Sequence, residues 1–142
     1  MHLPDEAATQ ALAEQLAARA RPGDALLLAG PLGVGKTSFC RAFIRALSAN
    51  PAQEVPSPTF TLLQTYESAG GSIWHYDLWR LENYLAMEEL GWDEAGQHIV
   101  LVEWPDRLGP LTPAAALWLS FSYATPGRAV ELRGEQRWFD AA

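Results

Sequence analysis

Lysine and cysteine are almost absent from this sequence. Lys36 is its only lysine and Cys40 its only cysteine. A single thiol excludes an internal disulfide, and Cys40, set within a helical pattern, reads as a small buried hydrophobe rather than a nucleophile. No apolar run approaches the roughly 20 residues of a membrane span. The stretch Met1 to Glu6 lacks a basic region followed by an apolar core, so no signal peptide and no membrane association are expected, and the cytoplasm is the expected compartment. Internal repeats and low-complexity segments are lacking too. Positive charge is scarce: ten Lys and Arg stand against seventeen Asp and Glu, a formal net charge of −7. A chain that grips nucleic acid alone normally shows a basic face, so contact with nucleic acid is expected to pass through a protein partner.

What is present is the composition of a globular protein. The chain is 49% hydrophobic with six tryptophans in 142 residues, a length that fits one domain over residues 1–142 and buries roughly two-thirds of the unfolded surface. Its organising stretch is Gly30-Pro31-Leu32-Gly33-Val34-Gly35-Lys36-Thr37. An apolar run over residues 25–29 precedes it, and an amphipathic helical pattern over 38–47 follows. Strand, glycine-rich turn and helix form the context in which G-x-x-x-x-G-K-[ST], the Walker A pattern, is a phosphate-binding P-loop. Glycines at 30, 33 and 35 allow the bend that turns successive amides inward, and the helix N-terminus adds to their pull on an anion. Lys36 would reach the β- and γ-phosphates, and the Thr37 hydroxyl would ligate Mg²⁺. The blander alternative is a glycine-rich turn with a solvent-facing lysine.

Before the loop, residues 4–19 read as a helix with Asp5 and Glu6 at its start and Leu12, Leu16 and Ala20 facing the core. After the loop's helix, residues 48–54 are a loop, and Pro56 and Pro58 stiffen the segment around Ser57. Residues 59–66 and 73–78 read as the strands of a hairpin. In that setting Thr59 would be a switch residue approaching the γ-phosphate and Mg²⁺; the alternative is a proline-stiffened start to a strand. His75 and Asp77 share a strand face with Trp79. Asp77 is one candidate for the carboxylate that accompanies a P-loop, or else an N-cap or a partner of Arg80. His75 is more naturally structural than a base. Residues 81–91 read as a helix with Leu85 and Leu90 inward, closed by Gly91. Ile99 to Val102 is the clearest buried strand, and Glu103 at its carboxyl end would touch Mg²⁺ or orient water, unless it is a solvated strand-end acid. Residues 115–123, 128–132 and 136–139 read as strands of an antiparallel β tail. The fold class is therefore α/β, a P-loop NTPase-like three-layer fold with a mixed central sheet and an antiparallel C-terminal β region.

Gly-x-Leu-Gly-x-Gly-Lys-Thr at 30–37, Ser-Pro-Thr-Phe at 57–60, His-x-Asp-Leu-x-Arg-Leu at 75–81 and Val-Glu-Trp-Pro at 102–105 occur in that order. Together they resemble the bacterial TsaE family, also called YjeE, of small P-loop ATPases, over nearly the whole chain. The resemblance implies an ATP-binding, Mg²⁺-dependent ATPase needed for threonylcarbamoyl-adenosine beside the anticodon of tRNA. It would act with TsaD and TsaB to reset their assembly between cycles, while TsaC makes the activated donor. By that resemblance Gly33, Val34, Gly35, Lys36, Thr37 and Ser38 bind phosphates, Thr37 and Glu103 reach Mg²⁺, Asp77 supports the metal, and Thr59 is the switch threonine. Asp-Glu-x-x-Thr at 5–9 implicates Glu6 near the nucleoside, and Gly127-Arg128 brings Arg128 to the nucleotide. Trp79 departs from the tyrosine usual in the family. Two rival readings remain at this stage, a small-molecule kinase with Asp77 or His75 as base and a nucleotide-gated binding module. A GTPase is disfavoured, because no Asn-Lys-x-Asp guanine-reading motif is present.

Overall fold

Two neighbouring parallel strands with unbroken apolar runs, residues 25–29 and 99–102, set the middle of the molecule. The computed structural model describes residues 1–140. In chain order these form β1 (His2–Leu3), α1 (Glu6–Arg19), β2 (Ala25–Ala29), α2 (Lys36–Leu47), β3 (Leu63–Tyr66), β4 (Ile73–Asp77), α3 (Trp92–Ala95), β5 (Ile99–Glu103), β6 (Leu117–Tyr123) and β7 (Arg128–Arg133). Short 3₁₀ helices lie at Tyr84–Glu88, Pro105–Leu111 and Gln136–Trp138. The strands make one seven-stranded sheet in the order β1-β7-β6-β2-β5-β4-β3. Pairing is parallel across β6, β2, β5 and β4 and antiparallel at both margins. This is the mixed α/β sheet expected of a P-loop NTPase-like fold.

Both sheet faces are covered, which is why the central strands are apolar throughout rather than alternating. Leu26, Leu28, Ile99, Leu101, Leu117 and Leu119 pack on one face with Leu12 and Leu16 of α1 and Phe39, Cys40, Phe43 and Ile44 of α2. Leu27, Val100, Val102 and Tyr76 pack on the other with Leu78, Leu81, Met87 and Leu108. Side chains alternate along a strand, so Ile73, His75 and Asp77 share the α2 face with Ile99, Leu101 and Glu103. The register pairs Asp77 directly with Glu103. Two acids thereby arrive side by side at the strand ends below the start of α2. Among the described residues no helix is long and apolar enough to cross a membrane.

Three expectations need correction. Residues 81–91 do not form one α-helix with Leu85 inward. Only Tyr84–Glu88 is helical, as a 3₁₀ turn that puts Met87 inward, while Leu78 and Leu81 lie in irregular chain before it. Leu81 and Met87 are buried, whereas Leu85 is 67% exposed. The strand expected from Thr59 starts only at Leu63. Leu62 has a left-handed backbone (φ 67°) and its amide donates to the Pro58 carbonyl, so the chain turns first. Residues 136–139 are a 3₁₀ turn, not a strand; it buries Trp138 in the cluster beneath α1. The tail is antiparallel as expected, β6 pairing with β7, and β6 joins it to the central sheet by a parallel pairing with β2. The two-residue β1 was not anticipated, because it is too short for any periodicity to show.

Leu101→Ala is expected to lower stability by about 2–5 kcal/mol in urea unfolding, because a fully buried central-strand side chain leaves a cavity. Leu85→Ala should stay within about 0.5 kcal/mol of wild type. A comparable loss at both positions would contradict the 3₁₀ arrangement.

Candidate nucleotide site

The loop between β2 and α2 is shaped by backbone that side chains resist. Gly35 adopts φ 114° at the cap of α2, and no side chain caps that helix, so its first amides have no side-chain acceptor. A Cβ at Gly35 would lie 2.6 Å from the Arg128 guanidinium, and one at Gly30 would lie 2.6 Å from the Phe121 carbonyl oxygen. Conformation therefore favours glycine at both positions, and space demands it at Gly30, where the obstacle is backbone; at Gly35 it is the movable end of an arginine. Tyr123 of β6 donates its hydroxyl to the Leu32 carbonyl and braces the loop tip. Val34 turns its side chain into the core, so only its backbone is available to a ligand.

Lys36, 4% exposed, donates from Nζ to the Gly30 carbonyl at 2.5 Å. Its ammonium also sits 3.4 Å from the centroid of the Trp104 ring. Burial pulls its pKa below the usual lysine value, with Glu103 and then Asp77 acting in the opposite direction. Trp104 itself is held in a left-handed backbone (φ 59°), and Trp79 packs on its other side with ring centroids 4.5 Å apart. Sequence reasoning gave Trp104 no role beyond an aromatic before a proline. Nothing local signals the left-handed conformation that swings its indole over the lysine.

Two carboxylates complete the floor. The Thr37 hydroxyl donates to Glu103 Oε1 at 2.8 Å, and His75 Nε2 lies 2.7 Å from Glu103 Oε2. The Thr59 hydroxyl donates to Asp77 Oδ2 at 2.9 Å and lies 2.7 Å from the Ser57 hydroxyl; the Trp79 amide donates to Asp77 Oδ1 at 3.0 Å. Asp77 thus caps the turn after β4 and also anchors Thr59; no ion pair with Arg80 is formed, and Arg80 instead stacks on Phe60. A cavity of about 310 Å³ opens among Gly33, Gly35, Lys36, Thr37, Thr59, Asp77, Glu103 and Trp104. Two buried acids facing a single lysine leave an excess of negative charge, and the hydroxyl and carboxylate oxygens are the hard donors that suit Mg²⁺. Cys40, His75 and Glu103 also lie within 4.8 Å of one another. Their 2.7 Å nitrogen–oxygen approach is a hydrogen bond, tighter than the separation of about 3.3 Å that ligands around a tetrahedral zinc would have.

The remaining candidates fall on the other side of the loop. β1 pairs with β7 through Leu3 and Arg128, which brings the start of α1 against Gly35. Arg128 donates to Glu6 Oε1 at 2.7 Å and to Thr9 Oγ1 at 3.0 Å. Glu6 and Ser38 also border a hollow of about 580 Å³ between α1 and α2 that carries Arg41 and Arg45. The structure thus gathers Lys36, Thr37, Thr59, Asp77 and Glu103 at one end and Glu6 and Arg128 at the other, with the glycine loop between and Ser38 lining both hollows.

Thr37→Val should lower the stability of the nucleotide-free protein by about 1–3 kcal/mol in urea unfolding, because it strands a buried carboxylate oxygen. Thr37→Ser, which keeps the hydroxyl, should retain most of the wild-type stability. Equal stability of the valine variant and wild type would contradict the Thr37–Glu103 bond.

Comparison with known proteins bears on the family. The family model described as threonylcarbamoyl adenosine biosynthesis protein TsaE matches residues 3–130. A Rickettsia felis protein named tRNA threonylcarbamoyladenosine biosynthesis protein TsaE is 43% identical over 73% of this chain, and the match spans 61% of that relative's length. The Bacillus subtilis protein of the same name is also 43% identical, over 80% of this chain and 70% of its own. Among solved structures, the crystal structure of Bacillus subtilis YdiB superposes with a TM-score of 0.72 at 27% identity, covering 95% of this chain and 84% of that one. Motif order, sheet topology and these matches agree: the chain belongs to the TsaE family.

Proposed function

We propose that this protein is a Mg²⁺-dependent ATPase that serves threonylcarbamoyladenosine modification of tRNA. The observation that carries the reading is the meeting of Lys36, Thr37, Asp77 and Glu103 in one cavity at the carboxyl ends of parallel strands. Ligands of open α/β sheets bind in that position. The triphosphate would lie along the amides of residues 33–38, and Lys36 would leave the Gly30 carbonyl to stabilise charge on the γ-phosphate. Thr37 and Glu103 would hold Mg²⁺ with Asp77 alongside, where the ion supplies Lewis-acid stabilisation of the phosphate oxygens. Thr59, tied to Asp77 through its hydroxyl, is placed to exchange that bond for one at the γ-phosphate. Glu6 borders the hollow into which a nucleoside would extend, and Arg128 is paired with it. A kinase finds less support, since His75 is sealed inside the sheet and both Asp77 oxygens are engaged.

The TsaE names of the relatives support the tRNA-modification setting. Action with TsaD and TsaB in the cytoplasm, with tRNA met through that complex, follows from the family resemblance and from the net charge of −7. Turnover by the isolated chain should be slow. Arg128 is engaged by Glu6 and Thr9, and Arg80 lies on Phe60. Neither is free at the γ-phosphate end, and an arginine supplied from outside raises rates ~10³–10⁵-fold in related NTPases.

Calorimetric titration with Mg·ATP should register binding that Lys36→Ala abolishes. Phosphate release should fall about 10²–10³-fold in Glu103→Ala, the loss typical of one transition-state contact. In a reconstitution with TsaD, TsaB, TsaC and tRNA, multiple turnovers should require both residues. No heat with Mg·ATP, or modification that survives Lys36→Ala unchanged, would overturn the proposal. Equal sustained modification with a non-hydrolysable analogue would favour a nucleotide-gated binding module instead.

A further inference from the structure

The two acids of the cavity are held by different parts of the molecule. Asp77 is held from the front, by the Thr59 hydroxyl and the Trp79 amide, both on irregular segments at the mouth. Glu103 is held from behind, by His75, whose side chain is fully buried between the sheet and α2. A glutamate has three rotatable side-chain bonds, so its carboxylate at a strand end is free to swing unless something anchors it. His75 Nδ1 is buried and has no hydrogen-bond partner, so nothing there accepts a proton, and the network puts the ring proton on Nε2, facing Glu103. The bond occupies Oε2 alone and leaves Oε1 at the Thr37 hydroxyl, on the cavity side.

We infer that His75 is a positioning residue of the metal–nucleotide site. It fixes the Glu103 carboxylate so that a single oxygen, Oε1, is presented beside Thr37 before any ligand arrives. The inference rests on the ATPase reading and adds to it. An imidazole that donates to a ligating carboxylate from within the core sets the ligand's orientation without touching metal, nucleotide or water. Sealed from the cavity by Glu103, His75 neither takes a proton from water nor reaches phosphate.

The test compares His75→Phe, which fills the space without a donor, with His75→Gln, whose amide returns an N–H near the same place. Manganese affinity of the ADP complex, read by electron paramagnetic resonance, should weaken ~10–100-fold in His75→Phe. ADP affinity in EDTA should stay within about twofold of wild type, and His75→Gln should recover manganese affinity to within about threefold, since the donor is restored. In the Glu103→Ala background, His75→Phe should add no further loss, because the two residues act as one unit. Should His75→Phe fail to fold, His75→Asn, whose amide stops short of Glu103, replaces it with the same expected loss. Wild-type manganese affinity in the donor-free variant overturns the inference. So do an equal fall in metal-free ADP affinity and additive losses in the double variant. A wild-type protein that binds no manganese nucleotide at all overturns the ATPase reading as well, so the two failures are distinguishable.

Discussion

One carboxylate joins the parts of this molecule that matter most. Glu103 ends the central strand β5, accepts a bond from Thr37 at the start of α2, and meets His75 from β4. Burying a charge is costly unless it is paired and bonded, so each partner is needed to keep the acid there. Strand, helix and hairpin are thereby fixed to one another at the point where the glycine-rich loop runs into α2. The loop geometry and the two-acid floor both depend on that junction.

The loop is also pinned from outside its own segment. Tyr123 and Phe121 of β6 lie against its tip and its first glycine. Arg128, drawn in by the pairing of β1 with β7, presses on Gly35 from above. A glycine-rich loop left alone has high conformational entropy, and an anion would have to order it. Here the antiparallel margin of the sheet supplies part of that order in advance. The same margin carries Glu6 to the loop, so the first residues of the chain take part in the candidate site.

Lys36 finds its partners within its own chain. Its ammonium is occupied by the Gly30 carbonyl and the Trp104 ring, which stabilise a buried cation whose pKa burial has lowered. A γ-phosphate would offer a full negative charge in exchange. Thr59 is in a parallel situation, bonded to Asp77 on a segment whose neighbour Phe60 is 81% exposed. Both are local exchanges of partners, so they ask little of the surrounding core.

The glycine-rich turn between strand and helix, the apolar central strands, α1 and the acids at 77 and 103 were legible in the sequence. Each depends on local spacing, with glycines at fixed offsets, unbroken apolar runs, or a carboxylate closing a strand. The alternation that places His75 and Asp77 on one face was legible for the same reason. What only the tertiary structure decided was where chain-distant groups meet. Helical spacing over 81–91 gave way to a short 3₁₀ turn set in irregular chain because the second core, not helix propensity, chose which side chains to bury. The partners of Glu103, the indole of Trp104 over Lys36 and the approach of Arg128 to Gly35 all join residues far apart in the chain. Such contacts are fixed by sheet order and by left-handed backbone at single residues, and neither leaves a repeating pattern for the sequence to display.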